Sequence, residues 1–299
     1  MHPGILGAMW RFALLVPVVA ALATTGGEAA TPPRGLILFW TESPAITIWA
    51  VRPDGSHRSR IVRNNQNAKR PRLSPDRRWV VFDGTPPGKP PMSDFDVQLI
   101  RLDGTGLRTV TTSSDWDNDA EWSPDGRWLS FGRSPPSPQD CSDASIWIVR
   151  RDGSDPRRVV AGCGARWSPD GTRLVYATQT KVDGRDRFTI DTVAPDGSGA
   201  QTLLESAVSV QPAGWSRRGK ILFTRSYDQS GRNGAVLVMN ADGTGVRKLA
   251  NGFASCWSPD GSKILYTPTA LQSPVLIMDA DGSHKRSVFG VVGSDPSWR

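Results

Sequence analysis

Histidine is nearly absent from this 299-residue sequence: there are three, at positions 2, 57 and 284. His2 belongs to the N-terminal segment, and His57 and His284 each follow an Asp-Gly-Ser turn. That leaves no histidine cluster for a metal and none placed as the base of a Ser-His-Asp arrangement. No H-E-x-x-H, C-x-x-C, P-loop or G-x-S-x-G pattern occurs, so the commonest zinc, thiol-redox, phosphate-binding and nucleophile-elbow chemistries have no foothold. Cysteine is also scarce, with only Cys141, Cys163 and Cys256. Beyond the N-terminus no apolar run approaches the roughly 20 residues that span a bilayer, so no stable membrane insertion is expected.

The one sustained apolar run, Phe12–Ala23, follows Arg11 and precedes small residues at 21–23 and 28–30. This is the pattern of a secretion signal. It assigns residues 1–30 to the signal and 31–299 to the folded domain, and a secreted or periplasmic location follows. No cysteine follows the run, so no lipid anchor is expected there. Net charge is +7, a basic balance that suits anionic partners. Secretion argues against nucleic acid among them.

Glycine (30) and proline (24) are abundant and fall at regular intervals. They mark an internal repeat: AEWSPDGRWLSF (120–131), ARWSPDGTRLVY (165–176) and SCWSPDGSKILY (255–266), with weaker copies PRLSPDRRWVVF (71–82) and AGWSRRGKILF (213–223) and a fragment DPSW (295–298). Equivalent positions are 49, 45, 48, 42 and 41 residues apart. A second series interleaves with the first as six Asp-Gly pairs, at 54–55, 103–104, 152–153, 196–197, 242–243 and 281–282. Ser-Pro-Asp-Gly fits a type I turn, because proline presets its second position and glycine closes it. Asp-Gly between apolar runs signals a hairpin, read here as a two-residue turn with positive φ at both central residues. Each period therefore holds four antiparallel strands, a to d: one bearing Trp, one after Ser-Pro-Asp-Gly, one before Asp-Gly and one after it. Four strands at this period read as a propeller blade.

These motifs, P-x-W-S-P-D-G followed by I-x-V-M-D-A-D-G, resemble the TolB-like (WD40-like) β-propeller repeat family, from Gly35 to Arg299. The resemblance is to the propeller domain only, and no role in an envelope system comes with it. It implies an all-β, six-bladed β-propeller with four antiparallel strands per blade. The first unit lacks a Trp-bearing strand and the tail supplies a spare one, so blade 1 is expected to be closed by the C-terminal strand. The recurring Trp122, Trp167, Trp215, Trp257 and Trp298 are read as packing between blades.

The residue before each Trp varies, and Glu121 stands between Arg72 and Arg166 on successive units. An ion pair of Glu121 with Arg72 or Arg166 near the channel is expected. The b–c and d–a loops share one face and vary, and variable loops on a rigid scaffold are where binding concentrates. On that face Trp116, read as exposed and outside any strand, is flanked by Asp115, Asp117 and Asp119. The alternation suggests calcium, but Ala120 replaces the loop glycine and the twelfth-position glutamate is missing, so no metal is assigned. Tyr227 and Arg232 are further candidates. Cys141 and Cys163 lie in neighbouring loops and are expected to form a disulfide, with Cys256 a buried free thiol. Oligogalacturonate-lyase-like propellers hold a metal with channel histidines, which this chain lacks. The sequence therefore points to a non-catalytic, monomeric binding protein without cofactors, for a protein or an envelope polysaccharide. The competing reading is a carbohydrate-active enzyme working through Asp115, Asp117 or Glu121.

Overall fold

The computed structural model describes residues 35–42, 46–62, 67–90, 95–136, 141–228, 233–269 and 273–299. The expected signal, residues 1–30, and Arg232 lie outside them.

Every described element is a strand except one 3-10 turn, Cys141–Asp143. The strands run in chain order as β1 (Ile37–Thr41), β2 (Thr47–Val51) and β3 (Ser59–Arg60); β4 (Lys69–Leu73), β5 (Trp79–Gly84), β6 (Asp96–Arg101) and β7 (Arg108–Thr109); and β8 (Trp116–Trp122), β9 (Trp128–Ser134), β10 (Ser145–Arg150) and β11 (Arg157–Ala161). Then come β12 (Cys163–Trp167), β13 (Leu174–Val182), β14 (Arg185–Val193) and β15 (Gln201–Ser206); β16 (Val210–Trp215), β17 (Lys220–Ser226), β18 (Gly234–Asn240) and β19 (Arg247–Asn251); and β20 (Phe253–Trp257), β21 (Lys263–Thr267), β22 (Ser273–Asp279) and β23 (Arg286–Trp298). Four sheets are four-stranded antiparallel meanders: β4–β7, β8–β11, β12–β15 and β16–β19.

The sheet count departs from the expectation of six separate four-stranded sheets. The remaining strands form one seven-stranded sheet, ordered β20-β21-β22-β23-β1-β2-β3. The cause is β23, a continuous 13-residue strand. Its first part pairs with β22 (Ile277↔Arg286, Ser273↔Gly293). Its last part pairs with β1 (Ile37↔Trp298, Leu38↔Ser297). No loop separates the two pairings, so the hydrogen-bonded ladder runs on from one unit into the next.

Burial explains the apolar runs. Each sheet is covered on both faces, so a strand such as β18 is buried almost throughout. The apolar side chains form six clusters among the described residues, each shared by consecutive units. One joins Val81, Val97 and Leu99 to Trp122, Leu129 and Phe131. Another joins Ile37 and Phe39 to Leu265, Ile277 and Trp298, bringing the two ends of the fold together.

The turns differ from expectation in detail. At the six Asp-Gly pairs only the glycine is left-handed (Gly55 φ 86°, Gly104 φ 85°, Gly153 φ 92°). The hairpins are three-residue loops closed by a bulge, the form a turn adopts when a single left-handed residue follows it. In the first, Gly55 N–H donates to Arg52 O at 2.8 Å and Arg52 N–H to Ser56 O at 2.9 Å. Asp54 Oδ1 accepts from the Ser56 N–H at 2.8 Å, and this capping repeats from Asp103 to Thr105, Asp152 to Ser154, Asp196 to Ser198, Asp242 to Thr244 and Asp281 to Ser283. The series Asp-Gly-Ser/Thr is thus a self-capped turn. The two-residue form with both φ positive occurs instead at Asp183 (50°) and Gly184 (73°). That pair turns between β13 and β14. The two strands pair in register out to Val182↔Arg185, and their outer ends are exposed.

Candidate functional site: the central channel and the loop face

The residue before each repeat Trp lines one cavity. Arg72, Glu121, Arg166, Gly214, Cys256 and Ser297 surround a space of about 380 Å³ that Arg299 also lines. They converge because each sits on the first strand of its unit, just after a register shift. The shift falls between Lys69 and Arg72, between Asn118 and Glu121, and between Cys163 and Arg166. Bulges of this kind re-aim side chains. Three residues ahead of Trp298, Trp122 and the degenerate Leu73, the backbone is left-handed: Asp295 φ 44°, Asp119 φ 53° and Arg70 φ 49°.

The channel charges are organised in pairs. Arg72 Nε lies 3.3 Å from Glu121 Oε2. The Arg166 guanidinium does not face Glu121 as its partner. It grips Asp119 with both terminal nitrogens, at 2.9 and 3.0 Å. Arg72 also approaches Asp119 at 3.9 Å, and Arg299 approaches Glu121 at 3.8 Å. Below this ring Arg70 donates to Asp83 at 3.0 Å, and Asp83 also accepts the Asp119 N–H at 2.9 Å. The chain end is tied in by Ser297 Oγ donating to Pro71 O at 2.7 Å and by Trp40 Nε1 donating to Asp295 at 2.9 Å.

The two inner carboxylates titrate in opposite directions. Burial pushes Asp83 up to about 6, and Arg70 and the Asp119 N–H hold back a larger rise. Burial would raise Asp119 too, but the Arg166 and Arg72 guanidiniums outweigh it and leave the group below the usual carboxylate range.

The acidic run 115–119 does not form one site. Asp117 is fully buried and paired with Arg133 at 2.7 and 2.8 Å, and Asp119 belongs to the channel. Asp115 is half-buried at the strand entry, its N–H donating to Ser113 Oγ at 3.1 Å. Trp116 is not a loop residue: it opens β8, half-buried, with its ring edge-on to Phe95 at 5.3 Å. A regular strand would put Asp117 and Asp119 on one face, but the register shift between Asn118 and Glu121, with Asp119 left-handed at φ 53°, re-aims the Asp119 side chain. Among the described residues no group of three His, Cys, Asp or Glu is placed to hold a metal ion. Tyr227 is 46% exposed, beyond the end of β17.

The repeat tryptophans are inter-unit contacts. Trp122 Nε1 donates to Arg72 O of the preceding unit at 3.2 Å, and Trp257 Nε1 donates to Gly214 O at 3.3 Å. Cys141 and Cys163 form a disulfide with Cα atoms 5.5 Å apart. Closing 22 residues adds about 3 kcal/mol in the chain-entropy estimate. Cys256 is free and half-buried in the channel wall. Burial pushes its thiol up to about 12, against the nearby Arg72. Alkylation by iodoacetamide at pH 8 is therefore expected to be slow in the native protein and fast in guanidinium. Rapid native labelling would contradict this burial.

Sequence reading missed the Arg70–Asp83 pair and the Arg133–Asp117 pair. In each, one partner lies on a first strand and the other on its neighbour. The signal available was a charged residue near the end of each second strand, Asp83 in WVVFDG and Arg133 in WLSFGRS.

No family model matches the chain. A TolB homologue from Chlorobium luteolum is 32% identical over 119 residues, which is 38% of this chain and 25% of that protein. The chain thus spans about a quarter of the length of that curated relative. TolB from Acinetobacter baumannii superposes with a TM-score of 0.69 at 18% identity, covering 88% of this chain and 66% of that one. The chain folds as a TolB-like β-propeller. The putative TolB of Agrobacterium tumefaciens is similar over 90% of this chain and 98% of its own, with a TM-score of 0.65 and 18% identity.

Proposed function

We propose that this TolB-like propeller has six blades, two of them fused through β23, and that it is a non-catalytic binding module. Six apolar clusters shared by consecutive units support the count. So does the succession of contacts between innermost strands, from β4 to β8, β12, β16, β20, β23 and back to β4. Residues 1–30 act as a secretion signal, which directs the protein to the periplasm or the medium, where it works as a monomer.

One observation carries the binding reading: the channel carboxylates are engaged with arginines. A glycoside-cleaving pair needs a protonated acid beside a free carboxylate. Glu121 contacts Arg72 and Arg299, Asp119 is held ionised by Arg166 and Arg72, and Asp83, the one raised group among them, is fully buried. That leaves the b–c and d–a loops, which differ between units, while the turns on the other face repeat. Trp116 and Tyr227 present aromatic surface there, suited to a protein or to the sugar rings of an envelope polysaccharide.

The test is recovery of bound material from a cell-envelope extract by wild type, Tyr227→Ala and Trp116→Ala. Both variants are expected to recover several-fold less, with the melting temperature unchanged for Tyr227→Ala. Unaltered recovery by both would remove the loop face as the binding site.

A further inference from the structure

The face opposite those loops carries guanidiniums stacked on indoles. Arg101, Arg108 and Arg151 lie 5.2, 5.6 and 5.8 Å from the centroid of Trp79. Arg150 and Arg157 each lie 4.6 Å from Trp128. Trp79 opens β5 and pairs across the sheet with Arg101, and Trp128 opens β9 and pairs with Arg150. The same register position holds Lys220 and Asn240 in a later unit, and Lys263 and Asp279 in another. The repeat therefore does not require an arginine on a tryptophan, yet two adjacent units have one.

Among the described residues neither Arg101 nor Arg108 forms an ion pair within 4 Å, whereas Arg150, Arg151 and Arg157 do. Asp76, Asp103, Asp125 and Asp152 accept hydrogen bonds from their own turns, and Asp155 lies between Arg150 and Arg157 at 3.7 and 3.3 Å. Asp76 reaches Arg151 only at 3.8 Å. Burial and then the like charge of Arg151 depress the pKa of Arg108, so an anion here would relieve repulsion. Two hollows open beside the rings, one lined by Arg78, Trp79, Arg101 and Asp103, the other by Trp128 and Arg157 with Asp125, Asp170 and Asp196, so the more basic of the two is the one at Trp79.

We propose that this turn face docks an acidic polysaccharide, whose anionic groups seat in succession against the guanidiniums stacked on Trp79 and Trp128. A stacked guanidinium keeps its in-plane N–H donors free for a carboxylate, sulfate or phosphate. Being already ordered, it loses less entropy on binding. Stacked arginines spaced over two adjacent units suit a flexible chain bearing repeated charges better than the flat surface of a bilayer. This surface is separate from the loop face and does not depend on it.

The test titrates tryptophan fluorescence of the full chain with dextran sulfate, polygalacturonate and uncharged dextran, at about 0.15 M salt, where surface charges are screened beyond about 8 Å. Wild type is expected to bind both acidic polymers and not the neutral one. Arg101→Ser with Arg157→Ser should weaken binding about tenfold, equivalent to roughly 1.4 kcal/mol. Lys181→Ser with Arg185→Ser, the same charge change on the opposite face, should leave it within about twofold. Arg101→Lys with Arg157→Lys, which keeps charge but loses the planar fork, should fall between. Four results would overturn the proposal: no wild-type binding, equal loss in both serine variants, full retention by the lysine variant, or preference for phosphatidylglycerol vesicles over both polymers. All four exchanged arginines and lysines are exposed, and unchanged thermal midpoints confirm folding of each variant.

Discussion

Asp119→Ala is expected to lower stability by about 3–5 kcal/mol, the range for removing one partner of a buried ion pair. Its carboxylate takes both terminal nitrogens of Arg166 and lies near Arg72. Arg166 and Arg72 are themselves 9% and 8% exposed. Without Asp119 the Arg166 guanidinium loses the partner of both its terminal nitrogens, and its Nε already has no hydrogen-bond partner. Urea unfolding at neutral pH measures the loss. Replacing Asp119 and Arg166 together by leucine and methionine should recover part of it, because the stranded charge goes too.

The pH dependence has a definite sign. A carboxylate held below its unfolded value of about 3.9 contributes stability that is complete above that pH and vanishes as pH falls through the folded value. The difference between wild type and Asp119→Ala should therefore be largest at neutral pH and shrink below about pH 4. Asp83 works in the other direction. Its folded pKa is raised to about 6, so it costs stability above that pH, and the cost fades as pH falls toward 3.9.

The second large effect concerns the tail. Truncation after Ser294 removes Ser297 and Trp298, which pair with Leu38 and Ile37, and deletes an indole that is 4% exposed beside Phe39 and Leu265. Trp298→Ala alone should cost about 3–5 kcal/mol, as for other large-to-small core changes. The truncation should do more: it bares an edge of β1 that can pair with another chain. Loss of cooperative thermal unfolding and a shift to larger species in size-exclusion chromatography are expected.

Much of this architecture was legible because its signals are local. Ser-Pro-Asp-Gly and Asp-Gly-Ser/Thr are turns whose hydrogen bonds close within five residues, and the recurring Trp marks one packing position. Repetition multiplied each weak signal. Continuity of β23 was not legible, since nothing in Gly290–Ser294 distinguishes a loop from a strand that serves two neighbours. The channel was half legible. Glu121 and its flanking arginines stood out, but the role of Asp119 rests on a left-handed bulge that redirects its side chain, and bulges leave no pattern in an alternating strand. Trp116 looked solitary because Phe95, its packing partner, is 21 positions away in the sequence. The stacked arginines escaped notice because each belongs to a different turn, and only pairing across β5–β6 and β9–β10 brings them onto the indoles.

Hydrogen–deuterium exchange followed by mass spectrometry tests the closure of the ring most directly. Peptides covering 36–41 and 294–299 should exchange slowly and together, at the rate of the buried strand Leu129–Phe131. Rapid exchange of 294–299, with the remaining strands still protected, would mean that the tail does not seal the propeller.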